Sequence, residues 1–440
     1  MITELIPNQE KFFTDLEKIY KEVALNDSLS RMRTRAWDQF LEVGLPTRKI
    51  EVYNYIRLRS LYAHSYQPSL QVELSNSSWK DQILPECQHS YLVFVNGVFR
   101  SDISDMTGLS KKDVAMSIQE AMGTYSSFLN NQWTQTIRKE KDPFALLNIA
   151  LHRQGVFIYL PPRYVVEAPI QVLHVIEKGD NTLLLPRIQL FMGKESQATI
   201  VSTQVVLSGK DYCINQAADF TLEDGARLHY VQSLCNEQPN IWHFEATRAV
   251  LKRDSYFDAV YATEGSATVR ADYRVTLAGE NGEARLNGVN MLAGDKEAHV
   301  NVLMEHEQPF CRSMQFFKSA LADQSNSSFE GKILVRKEAQ KTEAFQLNNN
   351  LLLSDRANAD SKPNLEIFAD DVKASHGSTF GKLDEEQVFY LQARGFSIEE
   401  AQSLLIHGFC KEIVDFILVP SLHSSLEQRA RRYLEQGKNV

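Results

Sequence analysis

The chain has 440 residues, a formal net charge of −9, 43% hydrophobic residues and 23% charged ones. This balance is ordinary for a folded protein and permits a large core held without disulfides or structural metal. The acidic sum excludes a surface built to neutralise phosphate backbones, so no nucleic-acid partner is expected.

At about 150 residues per domain, the length suggests two or three units, or one elongated fold that grows by stacking repeats. The cysteines, Cys87, Cys213, Cys235, Cys311 and Cys410, are odd in number, widely spread and contain no CxxC pair. Free thiols in a reducing compartment follow. The start, Met1 to Leu5, has no basic stretch leading into an apolar one, and no apolar run approaches the ~20 residues that span a bilayer. A cytoplasmic location with no membrane contact is the expectation.

In chain order, the first ~40 residues read as helical. Phe12, Phe13, Leu16, Ile19, Tyr20 and Val23 recur at helical spacing, and Trp37, Phe40 and Leu41 continue the stripe. Gly44-Leu45-Pro46 stops it. Residues 91–100 read as two short strands about an Asn96-Gly97 turn. Helical segments are predicted near 110–130 and 143–152.

From about residue 155 short runs of Val, Ile, Leu, Thr and Tyr alternate with polar turns. A theme recurs: an acidic or glycine-containing turn, a small residue, then alternating apolar positions. The small residues are Ala198, Ala226, Ala267, Ala284 and Ala298, with several gaps near 14 or its double. Coils of a β-solenoid produce this pattern, because each must turn a corner before adding a rung to a shared core. An antiparallel sandwich gives a similar texture; some fifteen strands in one stretch favour the solenoid slightly.

The remainder returns to helix. Asp384-Glu385-Glu386 opens one helix and Gly395 closes it. Ser397-Ile398-Glu399-Glu400 matches a capping box, followed by an apolar face of Leu404, Leu405, Phe409, Ile413 and Phe416. Pro420 is read as the end of that helix. A last helix carries Arg429, Arg431 and Arg432. The fold expected is mainly β: a right-handed parallel β-helix (β-solenoid) over 151–380, a mostly helical region with a short hairpin over 1–150, and a helical region over 381–440. Its terminal helices are too apolar to stand free, so they cap the solenoid or meet a partner.

Catalytic signatures fail. Gly377 to Leu383 resembles a phosphate loop, but it has three residues between the glycines where four are needed, and Leu383 stands where a Mg²⁺-binding hydroxyl belongs. His299, His306 and Cys311 do not follow zinc spacing and read as polar residues on strand or loop surfaces. His407 and Cys410 share a helix face and read as partly buried. The densest polar stretch, 364–384, holds Asp370, Asp371 and His376. From the residues alone, His376 is a hydrogen-bonded turn residue before it is a metal ligand or a pH-sensitive surface group.

Several segments carry a specific resemblance. Phe329-Glu330-Gly331-Lys332-Ile333, Ala339-Gln340-Lys341-Thr342-Glu343-Ala344 and Asn348-Asn349-Asn350-Leu351-Leu352-Leu353-Ser354 are three of them. Lys362-Pro363-Asn364-Leu365-Glu366-Ile367, Ala369-Asp370-Asp371-Val372-Lys373 and Ser375-His376-Gly377 continue the series. With Gly44-Leu45-Pro46-Thr47-Arg48-Lys49 upstream, the chain resembles the SufB/SufD family of the SUF iron–sulfur cluster assembly system over essentially its whole length.

The resemblance implies a non-enzymatic scaffold. It implies pairing with SufB through the β-helix, a SufC-type ABC ATPase docked on the C-terminal helices (Leu404, Leu405, Phe409 and Ile413), and a homodimer when SufB is absent. It implies no stably bound cofactor, only transient iron or an iron–sulfur cluster at the partner interface, with His376 as the interface ligand. Many SufD-type chains carry a cysteine two residues before that histidine; here the position is Ala374. The readings set against this one are a β-solenoid polysaccharide-active enzyme and a self-associating structural solenoid.

Overall fold

The computed structural model describes residues 7–23, 28–48, 50–69, 73–109, 114–235 and 241–436, apart from the side chains of 7, 8, 114 and 432–436. Met1 to Leu5, Lys49 and the Arg432 side chain therefore lie outside the described residues.

The centre of the molecule is a parallel β-helix. From Val156–Leu160 onward, strands alternate between an eleven-stranded and a ten-stranded sheet, and each pairs in parallel with the strand one coil away. The register stacks Gln216, Glu245, Ala271, Val300, Phe329 and Ser361 in one column, so a coil takes 26 to 32 residues. Half a coil is the ~14-residue spacing visible in the sequence.

The recurrent acidic or glycine turn is one corner of each coil. Glu195, Gly225, Asp254 and Asn281 all hold positive φ there. Glycine adopts that conformation freely, and Asn and Asp tolerate it better than most side chains. Ala198, Ala226, Ala284 and Ala298 pack into the interior core just past such turns.

Side chains alternate across each strand, so one row fills the solenoid and the other faces outward. Both rows are covered in the first coils. Cys213–Leu222 is buried along its whole length, its polar residues Asn215, Gln216, Asp219 and Thr221 included. The outer face of the eleven-stranded sheet lies under the N-terminal helices Pro7–Val23 and Ser30–Val43, with Trp37, Phe40, Trp133 and Phe144 in one cluster with Trp242 and Phe244. Gly44, at φ 77°, donates its N–H to the Phe40 carbonyl and ends the second helix.

Four expectations change. The 110–130 helix begins late: Val114–Ser117 is a strand, and the helix runs Ile118–Lys139 from a Ser117/Glu120 capping box. The hairpin Tyr91–Val95 and Val98–Asp105 is not separate from the solenoid, because its first strand pairs in parallel with Ile170–Ile176 and extends the ten-stranded sheet. Pro420 opens the last helix, Pro420–Gln436, rather than ending the one before, Ile398–Val414; proline suits a first turn, where its missing N–H has no partner to lose. Finally, the terminal helices lie along the outer face of the ten-stranded sheet and leave the solenoid end open. Cys410, Val414, Ile417 and Leu422 pack there against Val231, Val260, Val289 and Phe316.

Candidate interface site at the open end of the solenoid

The last coil is Asn358–Ile367 and Val372–Gly381, the outermost strand of each sheet. Backbone direction fixes what each edge offers. The N–H groups of Asn358 and Phe368 donate back to Ser325 and Val335, so residues 359, 361, 363, 365 and 367 turn their backbone polar groups to the free edge. Pro363 is one of these and supplies no N–H. In the other sheet Glu343 donates back to Cys311, and by the same alternation residues 374, 376, 378 and 380 of the last strand face outward. That edge contains no proline.

His376 sits at the middle of this strand and is not a turn residue. It pairs with Gln346, which pairs with Gln315, which pairs with Leu286. Gln346, Gln315 and Leu286 are buried, so His376 is the top of an interior column, exposed only because no coil covers it. Ala374 stands on the same row two residues earlier, against Ala344. A thiol at that position would share the mouth with the imidazole.

Asp370 and Asp371 do not join this site. They lie in the preceding turn, where Asp371 donates its N–H to Gln340 Oε1 at 2.9 Å, and the extended run Val372 to Ser375 between them sets Asp371 about 16 Å from His376. Among the described residues no three His, Cys, Asp or Glu side chains come together as a metal site. His376 offers one nitrogen to a shared site and no more.

The other candidates separate. Gly377 to Gly381 is strand, not a phosphate loop. His299, His306 and Cys311 are buried rather than on the surface. His299 Nδ1 meets Ser328 Oγ at 2.7 Å and its Nε2 lies 3.3 Å from Glu297. His306 meets Ser313 at 2.8 Å, and burial lowers its pKa to about 3. Cys311 belongs to the solenoid core. Cys410 is fully buried, and burial pushes its thiol up to about 12.

On the C-terminal helices the apolar positions divide between two faces. Ile413 is 0% exposed, beneath the helix on the sheet. Phe409 is half-buried over Lys318. Leu405 is intermediate, whereas Leu404 is 47% exposed, and the preceding helix Glu385–Gln392 exposes Phe389 at 70% and Tyr390 at 55%. The open apolar face is therefore Phe389, Tyr390, Phe396, Ile398 and Leu404.

Sequence reasoning missed a buried ionic cluster that fastens the helical region to the solenoid. Asp272 meets Arg248 and Arg270, each at 2.7 Å. Arg270 also meets Asp142 at 2.8 Å, and Glu140 meets Arg248 and Arg274, each at 2.7 Å. Tyr53 donates to Asp142 at 2.6 Å. Burial opposes ionisation of Asp272 and Glu140, but the arginines, Arg248 foremost, outweigh it and hold both carboxyls below their usual range. The only sequence signal was charge at every second position, Arg270, Asp272 and Arg274, in a strand otherwise rich in apolar residues.

A parallel solenoid sheathed by helices along its flanks and ending in unpaired strands and an exposed imidazole defines a scaffold-type architecture made to be extended. Comparison with known proteins agrees. Residues 8–172 match the SufBD protein N-terminal region, and residues 174–409 match the SufBD core domain of SUF-system FeS cluster assembly. The chain is 30% identical to the iron–sulfur cluster assembly protein SufD of Escherichia coli over 91% of this chain and 92% of that protein. It is 27% identical to a SufBD family protein of Synechocystis, over 91% and 90%. It is 28% identical to the chloroplastic protein ABCI7 of Arabidopsis thaliana, over 88% and 82%. The chain belongs to the SufBD family of iron–sulfur cluster assembly proteins.

Proposed function

We propose that this chain is a SufD-type scaffold subunit, cytoplasmic and without catalytic activity of its own. It pairs through the open solenoid end with a SufB-type paralogue and carries a SufC-type ABC ATPase on its C-terminal helices. Iron arrives at the shared end as substrate, and a nascent cluster is assembled there with His376 as one ligand. Without the paralogue, two copies of this chain cover each other's open ends.

One observation carries the reading: the mid-strand placement of His376 on the interior row of an uncovered last coil. Unpaired N–H and C=O groups run beside the imidazole, so a strand added to that edge passes next to it. A single imidazole binds iron weakly, so the remaining ligands come from the partner. Neutral imidazole, a borderline ligand, suits iron. Ala374 leaves this chain without a thiol beside it, and its dependence on His376 is correspondingly greater.

The test is reconstitution with a SufB-type paralogue and a SufC-type ATPase. Deletion of 384–440 is expected to abolish ATPase co-elution while the paralogue still binds. Retained ATPase binding would overturn the docking assignment.

A further inference from the structure

Beneath His376 lies an oriented ladder of side-chain amides. Gln346 Nε2 donates to Gln315 Oε1 at 2.9 Å. In this arrangement the Gln346 nitrogen points down the solenoid, which leaves Oε1 to accept from another direction. Gln346 is 3% exposed, and Oε1 has no partner among the described residues. A buried carbonyl oxygen without a donor is destabilising, so the arrangement needs an explanation.

Space for the ladder comes from Gly331 on the facing sheet. A Cβ there would lie 1.6 Å from Gln346 Nε2, so any side chain would push the amide out of line. The next position up the same column is His376. No hydrogen bond to its ring occurs among the described residues. An orphaned acceptor thus lies one rung below an unpartnered donor.

We infer that Gln346 is a positioning residue for His376: when a partner covers the solenoid end, one imidazole N–H turns inward and donates to Gln346 Oε1. The inference rests on the proposed ligand role of His376. Donation from one ring nitrogen fixes the neutral tautomer, so the other nitrogen carries the lone pair and faces the interface. Covering the mouth supplies the drive, because it removes the water that solvates the exposed ring in the free chain and leaves the buried Gln346 Oε1 as its acceptor. Gln315 and Gly331 support the ladder; neither touches the ring.

The experiment uses the full chain, labelled with ¹⁵N at histidine and bound to its SufB-type paralogue, with His376 assigned by the resonance lost in His376→Ala. The expected spectrum shows a single tautomer at His376. Gln346→Met keeps the length and volume of the side chain but removes the acceptor. It is expected to convert His376 to a mixture of tautomers and to slow cluster assembly about tenfold, with pairing and melting temperature little changed. Gln346→Glu restores an acceptor and is expected to restore the single tautomer. Gly331→Ala displaces the amide and is expected to behave like Gln346→Met.

A tautomer mixture at His376 in the unsubstituted complex would overturn the inference, even if the variants failed to fold. An unchanged single tautomer in Gln346→Met would do the same. The ligand role fails separately, if His376→Ala assembles clusters at the normal rate, whatever the tautomer measurement shows.

Discussion

Lys318 Nζ donates to the carbonyl oxygen of Phe409 at 3.1 Å and lies 4.4 Å from the centroid of the same residue's ring. The amine rises from the outer face of the ten-stranded sheet, is almost fully buried, and also contacts Glu412 and the Phe316 ring. It pins the helix Ile398–Val414 to the solenoid at the point where apolar packing is interrupted by charge.

Replacing Lys318 with Met removes the charge and keeps most of the packing. The loss expected is about 2 kcal/mol of docking free energy, the scale of a charge-assisted hydrogen bond. Amide exchange along Ile398–Val414 should accelerate about thirtyfold, while exchange in the inner strands stays the same. Unchanged protection in that helix would show that the apolar cluster alone holds it.

The two faces of the terminal helices predict opposite phenotypes. Phe389→Ser and Leu404→Ser alter exposed positions, so the melting temperature should hold while ATPase co-elution is lost. Ile413→Ser places a hydroxyl in the buried cluster and is expected to destabilise the helix by about 3 kcal/mol. Its effect on ATPase binding should then follow only from helix detachment. Full ATPase binding by Phe389→Ser/Leu404→Ser would remove this face from the interface.

The cluster around Asp272 makes stability acid-sensitive. Asp272 and Glu140 have carboxyl pKa values lowered by folding, so their contribution is complete above the unfolded carboxylate range near pH 4 and disappears as pH falls through the lower folded values. Thermal melts should be level from pH 6 to 8 and decline below about pH 4. Asp272→Asn leaves Arg248 and Arg270 short of a buried partner and should cost about 3 kcal/mol at pH 7. The gap between variant and unsubstituted chain should narrow in acid. A gap independent of pH would show that Asp272 is not held ionised by its arginines.

The open edges are unequal. Ser378→Pro removes an N–H from the free edge of Val372–Gly381 without removing a bond to the preceding strand. It should convert the self-paired form to monomer by light scattering, whereas Pro363→Val, which adds a donor on the other edge, should not weaken pairing. A dimer that survives Ser378→Pro unchanged would exclude pairing through this strand.

Much of this architecture was legible because a solenoid repeats its chemistry. The positive-φ corners Glu195, Gly225, Asp254 and Asn281 recur as acidic, Asn or Gly residues, although Phe310 and Lys341 take that place in the next coils; small residues fill the inside of the bend, and the capping box at Ser397 is local. Most of what failed was long-range. His299 is polar in sequence but buried against Ser328, which only the coil register supplies, and His306 is buried against Ser313, seven residues on across a turn. Asp370 and Asp371 are near His376 in sequence and far in space, because a strand extends its residues where a loop would gather them. Ile413 follows Leu404 by nine residues, which at 3.6 residues per turn sets them on opposite faces of the helix; the spacing carried the distinction, and grouping the apolar residues into one face overlooked it. Gln346 had no signal of its own; its role appears once His376 is stacked above it.

The most direct measurement is the rate of cluster assembly in the reconstituted complex containing His376→Ala, with subunit association and thermal stability recorded in parallel. The account predicts normal association, a melting temperature within a degree or two of the unsubstituted chain, since the ring is exposed at an uncovered end, and collapse of cluster formation. A stable, fully associated variant that assembles clusters at the normal rate would contradict it.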